Sequence, residues 1–341
     1  MTDAATVAAL HARTLTLDTH IDIRWPDPPD PATETDRQVD FPKMARGGLR
    51  AAVFIAYTPQ ARRDPDGHAA AAERAEAMLR HIRARADGET RRFCTTAAEV
   101  EAAAAAGAQV VLSAVENGNA MGRDLSRLAL WRSLGAIYVT LTHDGHNDLA
   151  DSARPKTDLG DGPEEHGGLS RLGREAIAEM NRVGLLVDVS HASRAAMLQA
   201  AALSRTPVVA THACCAALRP HPRNLDDEQL DTLREVGGLV QITAVPAFLR
   251  APGEDGKTAA SVADIVDHVD YAVRRIGIDH VGLSSDFDGG GGVAGWADAS
   301  ESANITAELM RRGYGAREIA LLWSGNFLRL MRLAQRAAEG G

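Results

Sequence analysis

The sequence predicts a (β/α)8 barrel with extra C-terminal helices, and two observations lead to this prediction. Eight short apolar runs, many of them rich in β-branched residues, alternate with longer segments of helical periodicity. Several runs, such as LLVDV at 185–189 and VVLSAV at 110–115, are apolar on both faces, which is typical of parallel strands covered by helices. The alternative is an open doubly wound sheet, but no Gly-x-Gly-x-x-Gly motif follows the first run.

The predicted elements follow one another along the whole chain. Strands are predicted at 15–22, 49–58, 109–116, 136–143, 185–191, 207–212, 238–244 and 280–286. Helices are predicted at 67–86 with 96–106, 124–133, 168–183, 193–202, 226–236 and 261–276, and then at 301–312, 316–324 and 326–338. We therefore expect residues 1–341 to form one domain, with barrel strands over about 15–286 and additional helices over about 300–338.

Composition excludes several classes of protein. The formal net charge of −9 disfavours nucleic-acid binding, which needs a concentrated basic face. No apolar run is long enough to span a membrane, and the N-terminal residues lack the basic and apolar regions of a secretory signal, so we expect a cytoplasmic location. Three cysteines, of which Cys214 and Cys215 are adjacent, do not suggest a disulfide framework.

Polar residues stand at the C-terminal ends of most predicted strands. His20 and Asp22, two residues apart on the first strand, share one face of it. The other residues at predicted strand ends are Glu116, His143, His191, His212 and Asp286. Barrel active sites are built at this face from the ends of several strands, so the pattern predicts a metal site.

The residue types narrow the choice of metal. Imidazole mixed with carboxylate, without clustered thiolates, suits zinc or a similar divalent ion such as cobalt or manganese. Three histidines and two acids exceed the three protein ligands of a mononuclear catalytic zinc, whereas two ions about 3.5–4 Å apart that share a bridging carboxylate would use them well. Many two-metal barrel hydrolases bridge their ions with a carboxylated lysine. No lysine lies at a predicted strand end here, so Glu116 is the candidate that bridges the two ions.

Six motifs carry a resemblance to a known family. They are LDTHID at 17–22, AVENG at 114–118, TLTHDGHNDLADS at 140–152, VDVSHAS at 187–193, THACCAALRPHPRNLDDEQL at 211–230 and GLSSDFDGG at 282–290. In this order they resemble the successive motifs of the membrane (renal) dipeptidase family. The resemblance implies a zinc-dependent dipeptidase on an amidohydrolase-like barrel, with a metal-bridging hydroxide that attacks small peptides bearing a free C-terminal carboxylate.

The resemblance also implies a role for each site residue. His20 and Asp22 would bind one zinc ion, His191 and His212 the second, and Glu116 both. His143 would contact the scissile carbonyl and its oxyanion. The remaining two implied roles fall to Arg223, which would hold the substrate carboxylate, and to Asp286, which would carry the proton from the attacking water to the leaving amine.

Substrate preference and assembly stay open at this point. The resemblance implies acceptance of L-Xaa-D-Xaa dipeptides and a possible homodimer. The alternatives are an amidase or deacylase that acts on N-acyl (D-)amino acids with the same metals, and a non-catalytic metal-bound binding protein. QITAVP at 241–246 stands where relatives often carry an aromatic run, so we expect the substrate pocket to lack that aromatic wall.

Overall fold

Parallel strands form a nearly closed barrel surrounded by helices in the computed structural model, which describes residues 4–339. Residues 1–3 and 340–341, which the single-domain prediction includes, lie outside the described residues. The strands are β1 Leu17–Asp22, β2 Ala51–Tyr57, β3 Arg91–Phe93, β4 Gln109–Glu116, β5 Ala136–Thr140, β6 Leu186–Asp188, β7 Val209–Ala213, β8 Leu239–Ile242 and β9 Val281–Leu283. They pair in the order β1-β2-β4-β5-β6-β7-β8-β9, and β3 pairs with β4 outside this path.

The barrel closes between β1 and the segment that follows β9. The Asp286 N–H donates to the carbonyl of His20 at 3.1 Å, and the Asp22 N–H donates to the carbonyl of Phe287 at 2.9 Å. These two backbone hydrogen bonds link the first and last strands in place of a regular strand pairing. The predicted (β/α)8 architecture is confirmed.

Helices follow most strands and continue after the last one. They are α1 Ala4–Arg13, α2 Phe41–Gly47, α3 Pro65–Arg83, α4 Ala97–Ala105, α5 Ser126–Leu134, α6 Arg171–Val183, α7 Arg194–Leu203, α8 Asp227–Glu235, α9 Pro246–Leu249, α10 Val262–Ile276, α11 Ala303–Arg311, α12 Ala316–Ala320 and α13 Asn326–Glu339. A π-helical turn at Leu321–Gly325 joins α12 to α13. Within residues 4–339, no helix has both the length and the apolar character needed to cross a bilayer.

Successive side chains of β2 belong alternately to two different apolar layers of the barrel. Ala52, Phe54 and Ala56 pack with the surrounding helices, whereas Val53 and Ile55 belong to a second buried cluster. This second cluster also contains apolar residues of α13, and among them Phe327 lies edge-on to Tyr138 of β5, with ring centroids 6.5 Å apart. Helix α13 therefore packs against the interior of the barrel.

Five predicted strands end earlier than the sequence suggests, two of them by one or two residues and three of them by three residues. His143, His191 and Asp286, which we predict as last strand residues, each lie three positions beyond the observed ends at Thr140, Asp188 and Leu283. His191 and Asp286 have φ angles of 64° and 59°, in the left-handed region that strand residues do not adopt. Four observed elements, β3, α1, α2 and α9, are not among those predicted from the sequence.

Replacing Phe327 by alanine should destabilise the barrel. Removing a buried aromatic ring that packs on Tyr138 leaves a cavity and should cost about 3–5 kcal/mol of unfolding free energy. Denaturant unfolding followed by circular dichroism measures the change. Leu130→Ala, at a helical position that is 38% exposed, is the matched control and should cost far less, so equal losses would contradict the packing role of Phe327.

Candidate metal centre

Glu116 stands at the centre of a buried cluster of histidines. Its Oε1 lies 3.5 Å from His20 Nε2, 3.3 Å from His191 Nε2 and 3.5 Å from His212 Nε2. Glu116 is the last residue of β4, His20 is on β1, His212 is on β7, and His191 follows β6. The carboxyl ends of four barrel segments thus deliver one carboxylate and three imidazoles to a single point.

The Nδ1 atom of His20 is fixed by a hydroxyl group. Tyr138 donates its OH proton to the carbonyl of Thr19 at 2.8 Å, so the same oxygen accepts from His20 Nδ1 at 3.0 Å. The Nε2 atom of His20 is then unprotonated in the neutral ring. Among the described residues this buried Nε2 has no hydrogen-bond partner, which is the condition expected of a metal ligand.

The other two histidines are oriented in the same way. Thr211 donates its hydroxyl proton to Asp188 at 2.7 Å and its oxygen lies 3.0 Å from His212 Nδ1, which therefore donates to it. His191 Nδ1 lies 3.2 Å from the carboxylate of Asp144, which can only accept. All three Nε2 atoms consequently face Glu116, an arrangement that suits a cation between them, either a proton or a metal ion.

Two further groupings extend the cluster. Ligand atoms of His20, Asp22 and Asp286 lie within 4.8 Å of one another, and so do those of Glu116, His143 and His191. The structure thus brings together all seven residues that the sequence places at strand ends. Distances alone also admit His143 as a ligand, although the family resemblance assigns it to the substrate carbonyl.

Buried acidic groups dominate the electrostatics of the cluster. Burial alone would lower the pKa of His20, but the charges of Glu116, Asp286 and Asp22 raise it to about 10. Burial raises the pKa of Asp286 to about 6. Burial, helped by the neighbouring His191, lowers the pKa of His143 to about 3, so this ring is neutral. The cluster as a whole attracts positive charge.

The loop after β9 passes very close to two acidic residues of the cluster, Asp22 and Asp286. A Cβ atom at Gly289 would lie 2.0 Å from Asp22 Oδ2 and 2.4 Å from Asp286 Oδ1. Only glycine can occupy this position without displacing both carboxylates. The loop also contains Asp288, whose carboxylate pairs with Arg37 at 3.1 Å and accepts from the N–H of Gln38, so it holds the loop rather than joining the cluster.

A cavity of about 450 Å³ opens over the cluster, and Arg223 forms part of its wall. Arg223 is only 3% exposed; its Nη2 donates to the carbonyl of His212 at 3.2 Å, while its buried Nε has no partner among the described residues. Among residues 4–339 no carboxylate forms a salt bridge with its guanidinium, although the charges of Asp286, Asp144 and Glu116 act on it without direct contact. A buried guanidinium with a free N–H and no carboxylate in contact suits an anionic ligand.

The expected loss of an aromatic wall is only partly correct. Residues 241–246 contain no aromatic residue, but the short helix α9, which begins at Pro246, places Phe248 in the cavity wall. The Arg223 guanidinium lies 5.3 Å from the centroid of this ring, within the range of a cation–π contact. An aromatic side chain thus lines the pocket from a position just downstream of the expected one.

Sequence reasoning did not identify the residues that orient the histidines. Tyr138, Thr211 and Asp144 carry the Nδ1 bonds, and two of them are neutral residues without a distinctive spacing. Asp144 directly follows His143, and a carboxylate next to candidate metal ligands is a clue that could have been used. A buried tyrosine on a strand also needs a polar partner for its hydroxyl, which could have pointed to Tyr138.

Comparison with known proteins places the chain in a family. The model of the membrane dipeptidase family, Peptidase family M19, matches residues 4–340. The dipeptidase aclJ of Aspergillus oryzae is 38% identical over 229 residues, which are 67% of this chain and 52% of that protein. This chain therefore spans about half the length of the curated relatives that it matches.

Solved structures agree with the sequence matches. The probable dipeptidase PvdM from Pseudomonas aeruginosa superposes with a TM-score of 0.91 at 31% identity, covering 98% of both chains. A metallo peptidase from Rhodobacter sphaeroides, liganded with a phosphinate mimic of the dipeptide L-Ala-D-Ala, gives a TM-score of 0.77 at 27% identity over 94% of this chain and 99% of that one. The resemblance seen in the motifs is confirmed: the chain belongs to the membrane dipeptidase family, Peptidase family M19.

Proposed function

We propose that this protein is a zinc-dependent dipeptidase that hydrolyses dipeptides with a free C-terminal carboxylate. The observation that carries the proposal is the convergence of three imidazole Nε2 atoms on Glu116 at the floor of a cavity whose wall contains the unpaired, buried Arg223. The first feature suits metal ions and the second suits a carboxylate. Membership of the M19 family supports the same reading.

The donor set fits two zinc ions. His20 and Asp22 would hold one ion, His191 and His212 the other, and Glu116 would bind both, since imidazole nitrogen and carboxylate oxygen are ligands that zinc accepts. When bound, the ions supply Lewis acidity that lowers the pKa of a coordinated water and polarises a carbonyl group. The Nδ1 bonds keep each imidazole oriented while this occurs.

Substrate orientation depends on Arg223. Its planar guanidinium can form a two-point contact with the C-terminal carboxylate of a dipeptide, and burial strengthens this contact because competing water is excluded. Phe248, which packs beside the guanidinium, limits the directions in which it can move. A peptide that extends beyond its second residue could not place a carboxylate at this position.

Asp286 is the residue suited to proton transfer, and His143 is the residue suited to activating the substrate carbonyl. Asp286 lies among the ligand atoms of His20 and Asp22, so it can accept a proton from the attacking water and return it to the leaving amine. His143 is neutral and one ring nitrogen carries a proton, which it can donate to the carbonyl oxygen as negative charge develops there.

The stereochemical preference rests on a relative. The solved metallo peptidase from Rhodobacter sphaeroides is liganded with a mimic of L-Ala-D-Ala, which supports the proposal that this chain also accepts L-Xaa-D-Xaa dipeptides. The homodimer and the cytoplasmic location stay predictions from the sequence.

Metal removal and reloading test the function directly. Protein treated with a chelator should lose hydrolysis of L-Ala-L-Ala and L-Ala-D-Ala, and zinc should restore activity at close to two ions per chain, because the ligand set accommodates two. Metal analysis and amino-acid release measure both quantities. Turnover of N-acetyl-D-alanine alone would identify the amidase instead, and two bound ions without any turnover would identify a binding protein.

Replacing Arg223 by methionine should mainly impair substrate binding. Loss of a charge-assisted contact worth about 1.5–3 kcal/mol should raise KM for free dipeptides by about 10- to 100-fold. Dipeptide amides, which lack the carboxylate, should be hydrolysed by the variant and the parent protein at similar kcat/KM. If both kinds of substrate suffer equally, Arg223 does not hold the carboxylate.

Gly289→Ala should empty the metal centre without unfolding the barrel. The added methyl group would collide with Asp22 and Asp286, so metal content and dipeptide hydrolysis should both fall steeply while the circular dichroism spectrum is retained. Gly162→Ala is the matched control, since a Cβ there meets its nearest neighbour at 3.6 Å. Full metal content in the Gly289 variant would show that the loop can move away.

A further inference from the structure

Two more cationic or proton-donating side chains line the cavity beside Arg223. Arg154 lies in the loop after β5 and is about half exposed, and its Nη1 is 3.1 Å from Asp144 Oδ2. His221 lies two residues before Arg223 in the segment between β7 and α8. None of the metal-binding or proton-transfer roles described above uses either residue.

The protonation state of His221 follows from its backbone contact. Its Nδ1 accepts the N–H of Arg223 at 3.1 Å, so the proton of the neutral ring is on Nε2. Burial and the nearby charges of Arg154, Arg219 and Arg223 lower the pKa of His221, which keeps the ring neutral near pH 7. His221 therefore offers one Nε2–H donor.

Arg154 and His221 line the same cavity as Arg223, and His221 packs on an aromatic ring that Arg223 also contacts. The His221 ring is 4.6 Å from the Phe248 ring, and the Arg223 guanidinium is 5.3 Å from the same ring. A substrate whose α-carboxylate rests on Arg223 therefore has the side chain of that same C-terminal residue within this part of the cavity.

The charges of the cavity wall are unbalanced on this side. Asp22, Glu116 and Asp286 belong to the metal centre, and Asp144 is shared between His191 and Arg154. Arg223 forms no salt bridge within the described part of the chain, and its Nη2 donates only to the carbonyl of His212. Asp144 contacts one side of the Arg154 guanidinium, and a guanidinium carries several N–H donors that can bind a second anion.

We propose that Arg154 and His221 form a subsite for a carboxylate on the side chain of the C-terminal residue, so that the protein prefers dipeptides that end in aspartate or glutamate. This inference rests on the proposed dipeptidase function and adds a substrate class to it. Arg154 supplies the charge and His221 a neutral hydrogen-bond donor. Glutamine and asparagine, which have the same shape without the charge, should bind less well at this subsite.

Paired substrates test the subsite. We expect kcat/KM for Ala-Glu to exceed that for Ala-Gln by about 10-fold or more, with the C-terminal residue assayed in both its L and D forms. Arg154→Gln should bring this ratio close to one, and Arg154→Lys should keep part of it. A variant that merely disturbed the loop would lower both rates and leave the ratio unchanged.

The matched control is Arg123→Gln. Arg123 is also an exposed arginine that pairs with a loop carboxylate, that of Asp148 at 3.0 Å, but it is not part of the cavity wall. It should keep the Glu-over-Gln preference. Efficient hydrolysis of Ala-Ala with a ratio near one in the parent protein, or a ratio that survives in Arg154→Gln, would overturn the subsite alone. Absence of hydrolysis of every dipeptide by zinc-loaded protein would overturn the dipeptidase function and the subsite with it.

Discussion

The convergence of three imidazole nitrogens on one buried carboxylate oxygen is the constraint on which the rest of the site depends. Like-oriented lone pairs and a carboxylate charge repel one another in a medium of low dielectric constant, so the cluster favours a bound cation. His20, His191 and His212 remain in this arrangement because each has its Nδ1 atom engaged elsewhere, by Tyr138, Asp144 and Thr211 respectively. The acceptor on the far side of each ring therefore determines what the near side can bind.

Some residues of the site lie on strands and the others lie in the loops that follow strands. His20, Asp22, Glu116 and His212 belong to strands, whose paired backbones hold them rigidly. His143, His191 and Asp286 follow strands, and two of these three have left-handed backbone angles. Such angles are costly for residues other than glycine and persist where the surrounding structure enforces them, often at functional sites. The residues proposed for proton transfer and carbonyl contact thus both lie in loops.

The barrel and the set of polar strand-end residues could be predicted because both depend on local patterns. Alternation of apolar runs with helical segments reports the fold, and parallel strands bring their carboxyl ends to one face. The early strand ends before His143, His191 and Asp286 could not be read from the sequence, since hydrophobicity does not reveal where the chain leaves the sheet, nor the left-handed backbone angles of His191 and Asp286. Neither could Phe248, whose place in the wall depends on a four-residue helix, nor the unpaired state of Arg223, which is a property of packing.

The closure of the barrel between β1 and the segment after β9 has a consequence for how the protein folds. The backbone bond between Asp286 and His20 and the bond between Asp22 and Phe287 join the first and last strand segments, and His20, Asp22 and Asp286 are all members of the candidate metal centre. This group of three side chains is therefore complete only when the two ends of the sheet have met, after nearly the whole chain has been arranged. Any ion bound there links the two ends of the sheet, and its binding free energy adds to the stability of the closed barrel.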